Sequence, residues 1–589
     1  MLPLLAAALF AAACTGSEGG TTTLTSVAVT TVDPAATVTT TTAAPSTTEA
    51  PSSKPVGGGV ATAIAEEPQT LNGFLPGGGG LIGNILGNAY GRGVQRVSGV
   101  TGEFEADLVE ELPTVANGGV VVNDDGTMTV SYRILEEAVW SDGAPVTGDD
   151  FQFTLDTIRS DDLPTSKEVY EDIIDTDPGT KTFAYTMSTP TTRFERLFSE
   201  IIPKHAIEGT DFAADWNTQR WPSNGPFQLA EWEVGQYLRL ERNPNYYKQD
   251  RDTGQALPYL DEIIIAIVPE AADRLEAFSQ RDLQIVQPQV SVDVITVLQS
   301  LEPDGAMVEV VPAPIWEHVN FQFGANNRNA DSLNRYRNFR KAVAHAIDRQ
   351  QVVDELFEGL TPVLDSWVTP YQPSLGTDAW SEYRHDLELA AEYLDAACQD
   401  AGRDCAAEPP QLVFSTTSGN PERERLAELV DDSLSDLGIG VEVDNEDPQL
   451  FFGESVLAGT WDAGSWPFSG SPGFSAALER LGSWDPDQPC PVGMNCQQWG
   501  TEGSYVVNER TERFAMLHDQ ALNTVDEREL GALLQESEQI LADDVVILPL
   551  YSRPSVAAVW LDEVGGFKHN PTAQGFTWNV EVWYRKTTE

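Results

Sequence analysis

Lysine is scarce in this 589-residue chain: there are eight, and Lys and Arg together reach only 35 against 91 Asp and Glu. The formal charge of −56 argues against binding nucleic acid, because a phosphate backbone needs a basic footprint and is repelled by an acidic one. Long apolar runs are missing too, and even Met1–Ala13 falls short of the roughly 20 residues that span a bilayer. Cysteine occurs five times without a C-x-x-C, which argues against zinc ribbons and thioredoxin-like chemistry. There is no G-x-S-x-G elbow and no Walker A sequence. None of the six His lies four residues from another, so there is no H-E-x-x-H. With so many carboxylates, a glycosidase-like pair could be picked anywhere and carries no weight. Gly78, Gly80 and Gly83 spell G-x-G-x-x-G, but in a glycine run that reads as a flexible loop. The sequence commits the chain neither to catalysis nor to a metal or other cofactor. What it does hold is 41% hydrophobic residues and 14 Trp, enough for two or three cores.

The N-terminus says where the protein belongs. Met1–Ala13 fits the apolar region of a secretory signal, and Ala11-Ala12-Ala13-Cys14 resembles a bacterial lipobox. Ala stands where Leu is usual at the first box position, and no basic residue precedes the run. The expectation is a signal ending at a lipidated Cys14. Residues 15–58 are Thr, Ala, Pro, Ser and Gly with almost no large apolar side chain, so they read as a disordered tether. Glu18, Asp33 and Glu49 oppose Lys54 there, a net of −2, which leaves −54 on residues 59–589. The other four cysteines form two close pairs, Cys398 with Cys405 and Cys490 with Cys496. In an oxidising compartment these read as two disulfides.

Mixed strands and helices recur along the rest. Residues 118–134 read as a hairpin turning at Asp124-Asp125-Gly126. Residues 147–159 read as a helix entered through Thr147 and Asp149-Asp150, and 263–268 as a buried strand. Tyr336, Phe339, Val343, Ala346 and Ile347 predict one helix closing near Gly359. The stripe Leu426–Leu437 predicts another, stopped by Gly438 and followed by a strand at 439–443.

Five blocks, in order, resemble the peptide-type (family 5) solute-binding proteins of bacterial ABC importers. Ala106-Asp107-Leu108-Val109 with Leu112 is the first, although Leu112-Pro113 stands where a Trp is common. Val139–Phe151, containing Trp140-Ser141-Asp142-Gly143-Ala144-Pro145-Val146-Thr147, is the most specific. Ile202-Pro203-Lys204-His205 is the third. Asn224-Gly225-Pro226-Phe227 through Arg242-Asn243-Pro244-Asn245-Tyr246-Tyr247 is the fourth, and Asn338–Arg349 the fifth. The resemblance implies an α/β, two-lobed periplasmic-binding-protein-like fold of the large peptide-binding type, with an extra small subdomain. The first lobe would comprise 59–310 and 554–589, including the subdomain at 101–204, and the second lobe 311–553. It further implies an extracytoplasmic receptor, not an enzyme, that closes on a peptide-like or other small polar solute. The receptor would be a monomer, lipid-anchored to the outer face of the bacterial cell membrane or periplasmic, and would serve an ABC permease and ATPase. A secreted acidic enzyme, or a sensory or adhesive surface protein on the same fold, are the alternatives.

The cleft is expected to draw on both lobes: Leu71-Asn72 after the first strand, Trp316, His318 and Asn320 on a hinge strand, the segment Trp461–Ser469 with Trp466, Phe468 and Ser469, and Phe576 and Trp578 on the return. Aromatic walls with a few polar groups suit such a cleft. In peptide-binding members an acidic residue pairs with the cargo's α-amine, and here Ser469 stands at that position. A hydroxyl cannot replace that charge-assisted bond. An amine-blocked peptide, a sugar or another metabolite is then favoured as cargo, unless Asp462 takes the role.

Overall fold

The computed structural model describes residues 57–586 apart from 76–77, 79, 161–162, 164–166, 368–375, 470–483, 488–489 and 491–494. Cys14 and the tether up to residue 56 lie outside the described residues.

One ten-stranded sheet runs through both lobes. At its centre lie two long antiparallel strands, Ala306–Phe321 and Ile547–Trp560. On one flank the sheet continues through Ala463–Ser469, Gln411–Thr417 and Gly440–Glu446. On the other it continues through Ile285–Val286, Gly59–Ile64, Glu262–Ile267, Tyr237–Arg242 and Phe227–Glu233. The two central strands are therefore the crossing between lobes. Their register breaks between Pro312 and Trp316, just past the point where Pro312 sits opposite Pro554. Proline has no N–H to give to the ladder, so the crossing is least hydrogen-bonded there.

Separate hydrophobic cores explain the division. The largest gathers residues from Trp316 to Tyr551, with Phe339, Val343, Trp380, Leu426 and Phe514 among its buried members. Two others draw both on Val60–Ala306 and on Val556–Trp583, so the last part of the chain packs with the first. A fourth holds residues from Val94 to Trp221. It sits on the antiparallel sheet Val120–Val122, Met128–Arg133, Thr182–Met187 and Ile173–Pro178, with helix Gly148–Arg159 packed against it. The expected hairpin and helix are both present. Gly126 takes the positive φ of 86° that the turn requires, and the Asp150 carboxylate accepts the Thr147 N–H at 2.9 Å.

Two local expectations need correction. The helix expected from Tyr336 to Gly359 is two helices, Arg337–Ala346 and Arg349–Phe357. Asp348 divides them, because its carboxylate accepts the N–H groups of Gln350 and Gln351 and starts a new helix. The glycine run does not end in a loop: Gly80 and Gly83 belong to helix Gly80–Tyr90. Both cysteine pairs are bonded, Cys398 to Cys405 and Cys490 to Cys496, with Cα atoms 6.0 and 4.6 Å apart. Among the described residues, no helix is long and apolar enough to cross a membrane.

Candidate functional site

Strand Ala306–Phe321 pairs antiparallel with Ala463–Ser469, and its alternation builds two different faces. Trp316 lies opposite Phe468, His318 opposite Trp466, and Asn320 opposite Gly464, so these side chains share one face. Their rings form a continuous cluster. The His318 ring lies 4.5 Å from Trp316 and 4.3 Å from Phe468, and Trp466 meets Trp461 edge-on at 4.9 Å. Trp484 closes the far side, 5.8 Å from Phe468.

This face is buried and polar at once. Trp316, His318, Asn320 and Trp461 have no exposed surface. Neither nitrogen of His318 has a hydrogen-bond partner, and the same holds for Asn320 Nδ2, Ser415 Oγ, Trp461 Nε1, Trp484 Nε1 and Gln497 Oε1. Unmade hydrogen bonds on buried groups cost about 1–3 kcal/mol each, so a cluster of them is a candidate for groups that a ligand would complete. Burial lowers the His318 pKa to about 4, so the ring is neutral at physiological pH. The Trp316 backbone and the Asn320 side chain favour its protonated form slightly, but neither completes a bond of normal geometry. Asn320 Oδ1 is engaged, accepting Gln497 Nε2 at 2.7 Å.

The opposite face carries charge, fully committed. Glu317 is buried and accepts Arg423 Nε at 3.3 Å, Arg553 Nε at 3.1 Å and the Ser465 hydroxyl at 3.3 Å. Burial alone would raise its pKa, but Arg553 and Arg423 hold it below the usual carboxylate range. Asp462 is likewise filled. Its two oxygens accept Asn327 and Asn329 Nδ2 (both 2.9 Å), the Ser332 hydroxyl (2.6 Å), Asn334 Nδ2 (2.8 Å) and the Val413 N–H (3.1 Å). A carboxylate with five donors has no capacity left for a cargo amine, which removes Asp462 from the role considered for it.

The first lobe contributes a cavity of about 300 Å³ between helix Gly80–Tyr90 and the small subdomain. Gly83 and Gly87 of the helix and Gly91 just past its end line it, with Phe74, Tyr170, Arg96 and Glu200 on other sides, but Gly83 lies against the Gly78 carbonyl and Gly91 against Glu200. A side chain placed at Gly87 would meet nothing within 4 Å. Asn84 and Asn88 also line it, their amides tied to the carbonyls of Ala573 (2.8 Å) and Gln574 (2.7 Å). Arg92 and Arg96 meet a buried network beneath: Arg92 reaches Asp107 at 3.3 Å and Glu581 at 2.9 Å, and Arg96 also pairs with Glu581.

The structure thus brings Trp316, His318, Asn320, Trp466 and Phe468 together and separates the rest. Ser469 ends the same strand opposite Ile315. Asn72 is buried in a turn, its Oδ1 accepting the Phe74 N–H and its amide donating to the Phe212 carbonyl, so its capacity is spent on backbone. Trp578 donates to the Lys568 carbonyl at 3.0 Å and borders the cavity only through Arg96, which lies 5.8 Å over its ring. Phe576 is core, stacked on Trp583. Helix Gly80–Tyr90 and Arg96 were missed. Four-residue glycine spacing was the available signal, hidden by the glycine run before it.

Two lobes sharing a sheet, a small subdomain, a cavity beside helix Gly80–Tyr90 and a buried aromatic cluster with unpartnered polar atoms are the features of a two-lobed binding protein. The chain belongs to the bacterial extracellular solute-binding proteins, family 5, whose middle-region model matches residues 104–483. It is 21% identical over 513 residues to the oligopeptide-binding protein OppA of Bacillus subtilis, covering 83% of this chain and 86% of that one. Among solved structures it resembles a periplasmic EDTA-binding protein, EppA, at a TM-score of 0.73 and 21% identity, covering 91% of this chain and 97% of that one. It also resembles AppA of Bacillus subtilis, solved with a nonapeptide, at 0.62 and 19%, covering 91% and 100%. The fold and family read from the sequence blocks are both right, and the enzyme alternative gains no support. The protein is a solute-binding receptor.

Proposed function

We propose that this receptor captures a peptide-like or other small polar solute between its lobes and delivers it to the permease and ATPase of an ABC importer. In this reading residues 59–310 and 554–589 form the first lobe, with its subdomain at 101–204, and 311–553 the second. Residues 1–14 are a signal, Cys14 carries lipid, and 15–58 tether a monomer to the outer face of the cell membrane. The observation that carries the reading is the cluster around His318: buried, neutral and short of hydrogen bonds, on the strand through which the lobes are joined. Closure would let cargo complete those bonds, and cargo that touches both lobes stabilises the closed state.

Native mass spectrometry of protein purified from its own host, followed by small-angle scattering with the solute recovered, tests this. The expected result is a bound small molecule that lowers the radius of gyration of the emptied protein. If scattering stays the same with every recovered solute, capture by closure is wrong.

The cavity supplies a second test. Gly87→Leu places a side chain in open space and removes a helix glycine, so stability should hold or rise by up to about 1 kcal/mol. Affinity for the recovered solute should fall about tenfold or more by calorimetry, because the cavity would be filled. Unchanged affinity would place cargo elsewhere.

A further inference from the structure

Two hydrogen bonds show which backbone groups of strand Ala463–Ser469 remain open. The Gln322 N–H donates to the Asp462 carbonyl at 2.8 Å, so residue 462 directs its backbone toward the crossing strand. The Thr416 hydroxyl donates to the Ser465 carbonyl at 2.9 Å, so residue 465 directs its own to the opposite side. Backbone groups alternate sides along a strand. Residues 464, 466 and 468 therefore serve the crossing strand, and 465, 467 and 469 face outward. On the outward side strand Gln411–Thr417 pairs only with Ala463 and Gly464, and among the described residues no other strand covers the stretch beyond Gly464. The stretch without a strand partner among the described residues is thus centred on residue 467, a buried proline.

A peptide taken up as an added strand draws its affinity from alternating main-chain donors and acceptors. Pro467 deletes the donor in the middle of this open stretch and leaves its carbonyl. The Ser465 carbonyl beside it is already engaged. Charge cannot act as a substitute, because Glu317 and Asp462 are both saturated by their own partners. The adjoining face offers aromatic rings together with the neutral polar atoms of His318, Asn320 and Trp484.

We propose that Pro467 is a specificity-determining residue that closes this edge to extended peptides. The wall is left for a compact, neutral, ring-bearing solute, held by stacking and by side-chain hydrogen bonds, with a hydroxyl or N–H donating to the Pro467 carbonyl. This rests on the receptor reading above and narrows its cargo.

The test is calorimetry of the whole mature protein with pentaalanine and N-acetyl-pentaalanine, in wild type and in Pro467→Ala, which restores the N–H. Wild type should bind both probes weakly and with less than twofold difference, since neither Glu317 nor Asp462 is free to read the amine. Pro467→Ala should bind both about fivefold to tenfold more tightly, the worth of one backbone hydrogen bond. No gain in Pro467→Ala, or micromolar wild-type binding that needs the free amine, overturns the proposal. A second measurement does not depend on the variant folding: the solute retained by wild-type protein from its own host should not be a peptide of three or more residues, and finding one overturns the proposal. A retained peptide that closes the lobes would leave the receptor reading standing, whereas absence of closure with every solute would sink that reading instead.

Discussion

Asp462→Ala is expected to lower stability by roughly 3–6 kcal/mol, a large effect for a single substitution. The carboxylate is buried and accepts five hydrogen bonds, four from the loop Asn327–Asn334 and one from the backbone of Val413. Alanine would leave those donors facing a dry space, and each unmet donor costs about 1–3 kcal/mol unless water enters. Asp462→Asn keeps one acceptor oxygen and should lose about half as much. A urea titration of both variants measures the difference, read from the midpoint at unchanged slope. A loss below about 1 kcal/mol in the alanine variant would mean that the loop is held by something other than this carboxylate. The same residue sits one position before the strand that carries Trp466, so the loss should also weaken cargo binding.

Acid is expected to unfold the protein in two stages. His318 and His569 are buried, and burial lowers both to about 4 from an ordinary value near 6.5. The unfolded chain therefore takes up their protons first. Their contribution is complete above about pH 6.5 and is lost as pH falls toward 4, by at most about 3 kcal/mol for each. Below that, the carboxylates of the first-lobe network take over. Burial alone would raise Glu581, but Arg92 and Arg96 hold it at about 2, and Arg92 and Lys248 likewise hold Asp107 well below its usual range. Their share is present above their unfolded values and disappears as pH falls through the folded ones. Asp462 and Asp150, both raised by burial, act in the opposite sense. They do so equally in a His318→Phe variant, which isolates the histidine. Denaturant titrations from pH 7 to 4 should show a shallower decline in that variant than in wild type. Identical slopes would mean that His318 is not buried neutral.

The elements, the five blocks and the disulfide pairs were legible because each depends on short-range chemistry. Asp-Gly makes the hairpin turn, Thr147 with Asp150 starts a helix, and cysteines six or seven residues apart meet each other most readily. The clustering of some candidate site residues was legible. Alternation on one strand placed Trp316, His318 and Asn320 on one face, and Trp466 and Phe468 on its neighbour, and pairing brought the two sets together. Asn72, Phe576 and Trp578 lie apart from that cluster: Asn72 donates to the distant Phe212 carbonyl, Phe576 stacks on Trp583, and Trp578 donates to the Lys568 carbonyl beneath Arg96, and sequence alone does not show that a side chain is already satisfied. The helix break at Asp348 was missed because apolar spacing continued through a capping residue.

The sequence alone, then, determined the acidic composition, the lobed fold and the family, since composition, periodicity and ordered motifs are properties of the chain itself. Tertiary structure decided which groups are free to act. Asp462 and Glu317 look like available charges in the sequence and are saturated in the fold, whereas His318, an isolated histidine in the sequence, is left buried and unpartnered. Burial and hydrogen-bond satisfaction are set by residues far apart in the chain, so only the folded molecule could show that the cluster around His318 is buried with its polar atoms unpaired, and that Pro467 lies where no strand among the described residues pairs with its own.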